Sequence, residues 1–375
     1  MSTDFVRIAK QCARGIPYLD KELRRRLSIS TGRVFATPTT YYVIFSGRCN
    51  LACTFCEIYK DVDPILSREA MLRIIREAKQ LSGRGFNVSL SGGEPTIYKP
   101  LYEILELTQQ LGVNFGFTTN GLSLTKRNVE RILSYDPFNI NVSLESVDPK
   151  INEDLRRPMP DGTRRILDGI ENVLAEKKRI GARVSIIVKA TIIEQNYRTL
   201  PDLVRYFGKH SEVQVNFQPF VGVKNNPHWG QGFESPESCF SGNLRFAARE
   251  LLGNRQRGAV RGVRALRGKS PRQDTRWRWP FGREQYARLD LGGQKRNCDI
   301  GLRSMFIFPN GDVYFCDFLG RPIGSVYQQS LSDIYYGKTA NGQRAGMVYC
   351  DIDCQQTCKR PTPLLVKART FLRMG

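Results

Sequence analysis

The chain has 375 residues, 41% of them apolar and 10% aromatic, which suffices for a large core and, on length alone, for two domains. No run approaches the roughly 20 apolar residues that cross a bilayer, and the N-terminus lacks the apolar stretch of a signal peptide, so the expectation is a cytoplasmic protein. The net charge of +21 is carried entirely by residues 1–40, 241–297 and 359–375, which excludes a uniformly basic body and points to basic appendages that dock to something anionic.

In chain order, residues 1–39 form a basic N-terminal segment, and "FVRIAKQCARGI" has the spacing of an amphipathic helix with Phe5, Ile8, Ala9 and Cys12 on one side. From residue 40 short β-branched runs alternate with helical periodicity. "TYYVIFS" is a strand; "SREAMLRIIREAKQLSG" is a helix with Ser67 as N-cap, Met71, Ile74, Ile75 and Ala78 on its apolar face, and a glycine stop. The alternation continues through "NVSLS" and "LYEILELTQQLG", "VNFGFTTN" and "TKRNVERILSY", "INVSLE" and "GTRRILDGIENVLAEKKRIG", "RVSIIVKATI" and "TLPDLVRYFGKH", and ends at "EVQVNFQPF". Six strands separated by helices predict a parallel α/β fold, a partial (β/α)6 TIM-like barrel over residues 40–225, with its chemistry at the C-terminal ends of the strands.

Residues 226–297 read as a basic helical or linker insert. Within it, "NRQRGAVRGVRALRGKSPRQ" is rich in Gly and Arg, while "RWRWPFGRE" interleaves Trp277 and Trp279 with Arg276, Arg278 and Arg283, a composition compatible with stacking on nucleic acid. In residues 298–358, "IFPNGDVYFC" predicts a strand, an Asn-Gly turn and a second strand. Residues 359–375 form a basic segment, "PLLVKARTFLRMG", with Leu364, Leu365, Ala368, Phe371 and Leu372 on one helical side. Such a helix either packs on the body or lies in an anionic membrane surface, which would place the protein at the inner membrane face.

The ten cysteines fall into two groups, with Cys12 and Cys239 outside both as ordinary thiols. In a reducing compartment, clustered cysteines read as metal ligands before disulfides. Cys49, Cys53 and Cys56 stand on one loop just after the first strand, three thiolates with no histidine or fourth cysteine nearby to close a structural zinc site. The second group is Cys298, Cys316, Cys350, Cys354 and Cys358, which could also hold zinc.

The first spacing, with Phe55 before the third cysteine, resembles the signature of the radical S-adenosylmethionine (SAM) enzymes. The resemblance extends over residues 40–220 and implies that the three thiols hold a [4Fe–4S] cluster whose fourth iron binds SAM. "SGGEP" resembles the family's motif for the methionyl amino group, with Gly92, Gly93, Glu94 and Pro95; glycines let backbone approach an ammonium, and a carboxylate adds a charge-assisted bond. Asn120 in "TTNG", and Ser143 and Glu145 in "NVSLES", resemble further SAM contacts, although short polar residues at strand ends also serve as helix caps. Arg156 or Arg157 is offered as a carboxylate clamp.

The C-terminal cysteines resemble the auxiliary-cluster extension called SPASM, or its shorter form twitch, which implies one auxiliary [4Fe–4S] cluster held by Cys298, Cys316 and two of Cys350, Cys354 and Cys358. The implied activity is reductive cleavage of SAM to a 5′-deoxyadenosyl radical that abstracts a substrate hydrogen, with an electron donor such as flavodoxin or ferredoxin. The catalytic residues beyond the cofactor sites are not identified by sequence. The expected outcome is oxidation or bond formation on a lipid, lipid-linked glycan or sugar-type substrate. Two alternatives stand beside it: maturation of a ribosomally made peptide through a separate recognition protein, and an RNA-binding iron–sulfur protein, with nucleic acid the less favoured partner.

Overall fold

Each predicted strand and helix of the barrel forms where its pattern places it. The computed structural model describes residues 3–56, 58–60, 62–193, 195–196, 198–219, 276–278, 286–288, 298–316 and 321–347, with side chains described from residue 17 and not within 276–278 or 286–288. The six predicted strands are β1 (Thr40–Ile44), β2 (Asn87–Ser91), β3 (Asn114–Thr119), β4 (Asn139–Ser143), β5 (Ser185–Ile192) and β6 (Val213–Pro219). They pair in parallel in that order. Between them run α2 (Arg68–Ser82), α3 (Leu101–Gln110), α4 (Lys126–Leu133), α6 (Gly162–Ile180) and α7 (Leu200–Phe207), with a short α5 (Pro149–Leu155) that the periodicity did not announce. Helix α2 starts as expected, with Ser67 accepting from the Ala70 N–H, and buries Met71, Ile74, Ile75 and Ala78.

Strand alternation divides the barrel wall into two chemically different faces. Val88, Leu90, Phe115, Phe117, Ile140, Val142, Ile186, Val188 and Val215 are buried in one apolar cluster with the helices. The other face is mostly polar. The strand register stacks its residues in layers, Thr40, Asn87 and Asn114 at the N-terminal end, then Tyr42, Ser89, Gly116 and Asn139, then Thr118 and Asn141, and Ser143, Lys189 and Asn216 toward the C-terminal end. Asn139 bonds Asn141 at 3.0 Å and Asn141 bonds Thr118 at 3.3 Å.

Helix α1 (Thr3–Thr31) closes the N-terminal end of the strands, and it does so with its polar side. Lys21, Glu22, Arg25 and Ser28 are buried, while Leu19, Leu23 and Leu27 are exposed. The predicted apolar face of residues 5–12, for the body or for an anionic membrane surface, lies outside the described side chains. Over residues 17–31 the pattern is inverted because the barrel base presents polar groups: Asn114 Nδ2 donates to Tyr18 Oη at 2.7 Å.

The predicted Asn-Gly hairpin is present as β9 (Ser304–Ile307) and β10 (Asp312–Tyr314), with Gly311 at φ +85° in its turn. It belongs to the same sheet as the barrel: β9 pairs in parallel with β1, β10 runs antiparallel to β9, and β11 (Gly324–Ser325) completes the row. Helices α8 (Leu331–Tyr336) and α9 (Lys338–Met347) follow. Residues 276–278 (β7) and 286–288 (β8) form a separate antiparallel ribbon in the basic insert. Among the described residues no helix is long and apolar enough to cross a membrane.

Candidate active site

The loop carrying Cys49, Cys53 and Cys56 leaves the C-terminal end of β1 and is fastened on two sides. On one side the Ala52 N–H donates to the Arg157 carbonyl at 2.7 Å and the Thr54 N–H to the Leu155 carbonyl at 2.8 Å, tying it to the end of α5. On the other, the Gly93 N–H donates to the Ser46 carbonyl at 2.7 Å and the Glu94 N–H to the Arg48 carbonyl at 2.9 Å. This contact explains both glycines of "SGGEP". A Cβ on Gly93 would lie 1.8 Å from the Arg48 carbonyl oxygen, and one on Gly92, at φ +125°, 2.5 Å from that of Ser46. The two missing side chains let the cysteine loop lie against the end of β2.

Burial pushes all three thiols up, Cys56 to about 11, and nearby groups modulate this. The Arg156 guanidinium beside Cys53 pulls it down, and the Leu51 N–H does the same for Cys49. The thiols of Cys49 and Cys53 also raise Cys56. Among the described residues no three His, Cys, Asp or Glu side chains converge on one point as a single metal ion needs. Phe55 is half-buried on the same loop.

Glu94, 1% exposed, is the hub of the rim. Its Oε1 accepts from the Thr96 N–H at 3.0 Å, the Thr96 hydroxyl at 2.7 Å and the Thr119 hydroxyl at 2.7 Å; its Oε2 accepts from the Asn120 N–H at 2.6 Å. Pro95 continues into the short helical turn that follows. Asn120 in turn donates through Nδ2 to Asn50 Oδ1 at 2.7 Å, joining the end of β3 to the cysteine loop.

Arg156, not Arg157, is the buried member of its pair. Its Nη1 donates to the Ser143 carbonyl and its Nη2 to the Asn120 carbonyl at 3.3 Å, while the buried Nε has no hydrogen-bond partner. One guanidinium thus gathers the ends of β3 and β4 beside Cys53. Glu145 is buried nearby, its Oε2 accepting from the Thr191 N–H at 2.6 Å. Burial pushes its carboxyl up to about 7, against the opposing pull of Arg156 and Thr191. Sequence reasoning missed the residues that hold Glu145 in place: Asn152, which accepts from its N–H at 3.0 Å, and Asn196, which donates to its carbonyl at 3.0 Å. No local motif marks either.

The structure therefore brings Cys49, Cys53, Cys56, Glu94, Asn120, Ser143, Glu145 and Arg156 to one end of the barrel. The family profile described as "Radical SAM superfamily" matches residues 43–207, and a second, "Iron-sulfur cluster-binding domain" of the SPASM type, matches 298–360. The chain belongs to the radical SAM superfamily, with a SPASM extension. The cofactors of this enzyme class are SAM and [4Fe–4S] clusters, and the three-thiol loop fits the SAM-binding one.

Among curated proteins, this radical SAM chain is 29% identical over 195 residues to a GTP 3′,8-cyclase of Staphylococcus haemolyticus, covering 49% of this chain and 54% of that protein. It is 30% identical over 175 residues to a probable GTP 3′,8-cyclase of Methanosarcina mazei, covering 44% and 51%. The chain spans about half the length of the curated relatives it matches. Two solved structures share the fold. SuiB of Streptococcus suis bound to S-adenosylmethionine aligns with TM-score 0.61 at 18% identity over 88% of this chain and 77% of that one. The protein anSMEcpe with bound AdoMet and a Cp18Cys peptide aligns with TM-score 0.56 at 14% identity over 90% and 95%.

In the SPASM extension, Cys298 precedes β9 and Cys316, 8% exposed, follows β10, so both stand at the open end of the hairpin. Cys350, Cys354 and Cys358 lie outside the described residues, as do Trp279 and the amphipathic segment 359–375.

Proposed function

We propose that Cys49, Cys53 and Cys56 hold the SAM-binding cluster and that this enzyme abstracts a hydrogen from a polar substrate seated against the inner barrel face. The observation that carries the site is the guanidinium of Arg156, which sits beside Cys53, holds the carbonyls of Asn120 and Ser143, and keeps a buried Nε–H unpartnered. That free donor supports a carboxylate contact, the one end of SAM that a guanidinium recognises. When bound, the reduced cluster supplies the electron that cleaves SAM to methionine and a 5′-deoxyadenosyl radical.

The residues of the chain orient and enclose. Four protein hydrogen bonds already occupy Glu94, so its task in this reading is to fix the rim, and the carbonyls of the glycine turn would receive the SAM ammonium. Ser143 and Glu145 would be the residues nearest the ribose. Cys298 and Cys316, with two of Cys350, Cys354 and Cys358, would hold the auxiliary cluster, which, fully ligated, would accept an electron and so favour a net oxidation.

The inner face narrows the substrate. Ser89, Thr118, Asn141, Lys189 and Asn216 make this face mostly polar, with Tyr42 and Ile187 among them, and Asn216 Oδ1 is buried without a partner. This supports a sugar-type or amide-bearing group at the radical over an acyl chain. The names of the curated relatives refer to a nucleotide, and the fold is shared with SuiB, solved with a precursor peptide; both compounds are polar in this sense.

The test is anaerobic SAM cleavage by the reconstituted protein beside a Cys49/Cys53/Cys56→Ala variant, with iron counted in both. About eight irons and 5′-deoxyadenosine from the wild type, against about four irons and no product from the variant, are expected for two cubanes of four irons. A variant that still cleaves SAM would refute the assignment.

A further inference from the structure

The barrel has a polar cavity, of about 160 Å3, at the strand ends remote from the cysteine loop. Tyr18, Lys21, Glu22 and Arg25 of α1 line one side of it, and Thr40, Asn87 and Arg303 the other. The described carboxylates around it are already paired. Glu22 is engaged by Arg25 and Arg26, and Asp299 by Arg25 and Arg303. Asp20, the neighbour of Lys21 in sequence, pairs with Arg24 on the exposed side of the helix.

Lys21 is left with neutral partners. It is 4% exposed, and its Nζ donates to Thr37 Oγ1 at 2.5 Å and to the Pro38 carbonyl at 3.3 Å. Among the described residues no carboxylate lies within ion-pair distance of this ammonium, which has a third N–H to give. Burial pushes it down to about 8, against the upward pull of the Asp20 carboxylate, which makes no ion pair with it. A buried ammonium with a donor to spare, in a cavity whose lining carboxylate, Glu22, is already paired with Arg25 and Arg26, is an environment that an anion completes.

We propose that this cavity is a binding site for a small phosphate-class oxyanion, held by the Lys21 ammonium and flanked by the guanidinium groups of Arg25 and Arg303. The site lies at the opposite end of the strands from the SAM-binding rim and shares no residue with it. The anion joins α1 to the barrel base, since Lys21 and Arg25 come from the helix and Arg303 from the segment entering β9.

The experiment is isothermal titration calorimetry of the full chain with clusters loaded, at constant ionic strength in chloride, with inorganic phosphate as the ligand. Expected are one saturable site per chain and at least about tenfold weaker binding in Lys21→Met, the share of one charge-assisted hydrogen bond. Lys21→Gln, which keeps a donor toward Thr37 and Pro38, takes its place if Lys21→Met does not fold. A parallel titration with glycerol 3-phosphate separates sources: binding by both anions assigns the site to the phosphoryl group of a larger molecule, and binding by inorganic phosphate alone to the free ion. No saturable heat from either anion with the wild type overturns the proposal, as does a folded Lys21 variant that binds as tightly as the wild type.

Discussion

The hydroxyl of Thr119 donates to Glu94 Oε1 at 2.7 Å, so the last residue of β3 is tied to the turn after β2 by a carboxylate that water scarcely reaches. Glu94→Ala leaves the donors of Thr96, Thr119 and Asn120 without their acceptor. The expected cost is about 3 kcal/mol or more, since each buried group left unpaired costs on the order of 1–3 kcal/mol. Urea unfolding measures it, and a loss below about 1 kcal/mol would show that the rim does not depend on this carboxylate.

Gly93→Ala separates fold from cluster. Its Cβ collides with the Arg48 carbonyl, so the cysteine loop is displaced while the helices and strands around it stay intact. The circular dichroism spectrum should match the wild type, with iron falling from about eight to about four per chain. Full iron content in this variant would mean that the loop yields without disturbing its thiols.

The two arginines of "LRRP" should behave differently. Arg156→Met removes the buried guanidinium and is expected to raise the KM for SAM by roughly thirtyfold, the worth of about 2 kcal/mol for a hydrogen bond to a charged group. Arg157 is exposed, so Arg157→Met should leave KM unchanged. Equal effects of the two would remove Arg156 from the site.

Glu145 makes stability depend on pH in a sign opposite to that of a salt-bridged carboxylate. Its folded value, about 7, lies above the ordinary 4.5, so the folded protein binds the proton more tightly than the unfolded chain. The contribution is fully present below about pH 4.5 and is lost as pH rises through about 7. In the cluster-free, SAM-free protein the stability difference between wild type and Glu145→Gln should change across this window and level off above it. Parallel curves for the two proteins from pH 4 to 8 would be inconsistent with a buried protonated Glu145.

Most of the barrel could be read from the chain because its signals are local. Ser67, Thr125 and the glycine stops cap helices within one turn of the residues they serve, and the strands of the wall carry period-two alternation. The cysteine spacing and the glycine turn were legible for the same reason. What sequence could not supply was the long-range company. Thr119 lies 25 residues from Glu94, and Asn196 lies 51 from Glu145, with nothing in either neighbourhood to announce the partnership. The inverted burial of α1 escaped because amphipathicity assumes an apolar surface to pack against, and the barrel base is polar.

The pairing of β9 with β1 has a consequence for how the two iron–sulfur regions can be separated. Strand β1 bears the cysteine loop and is hydrogen-bonded along both edges, by β2 on one side and by the SPASM hairpin on the other. Two regions that are distinct as sequence families therefore share one strand as a party wall. A chain cut before residue 298 would turn β1 from an interior strand into an open edge and unfasten the flank from which the cysteine loop hangs. The SPASM extension is thus part of the scaffold of the SAM site as well as the carrier of its own cysteines.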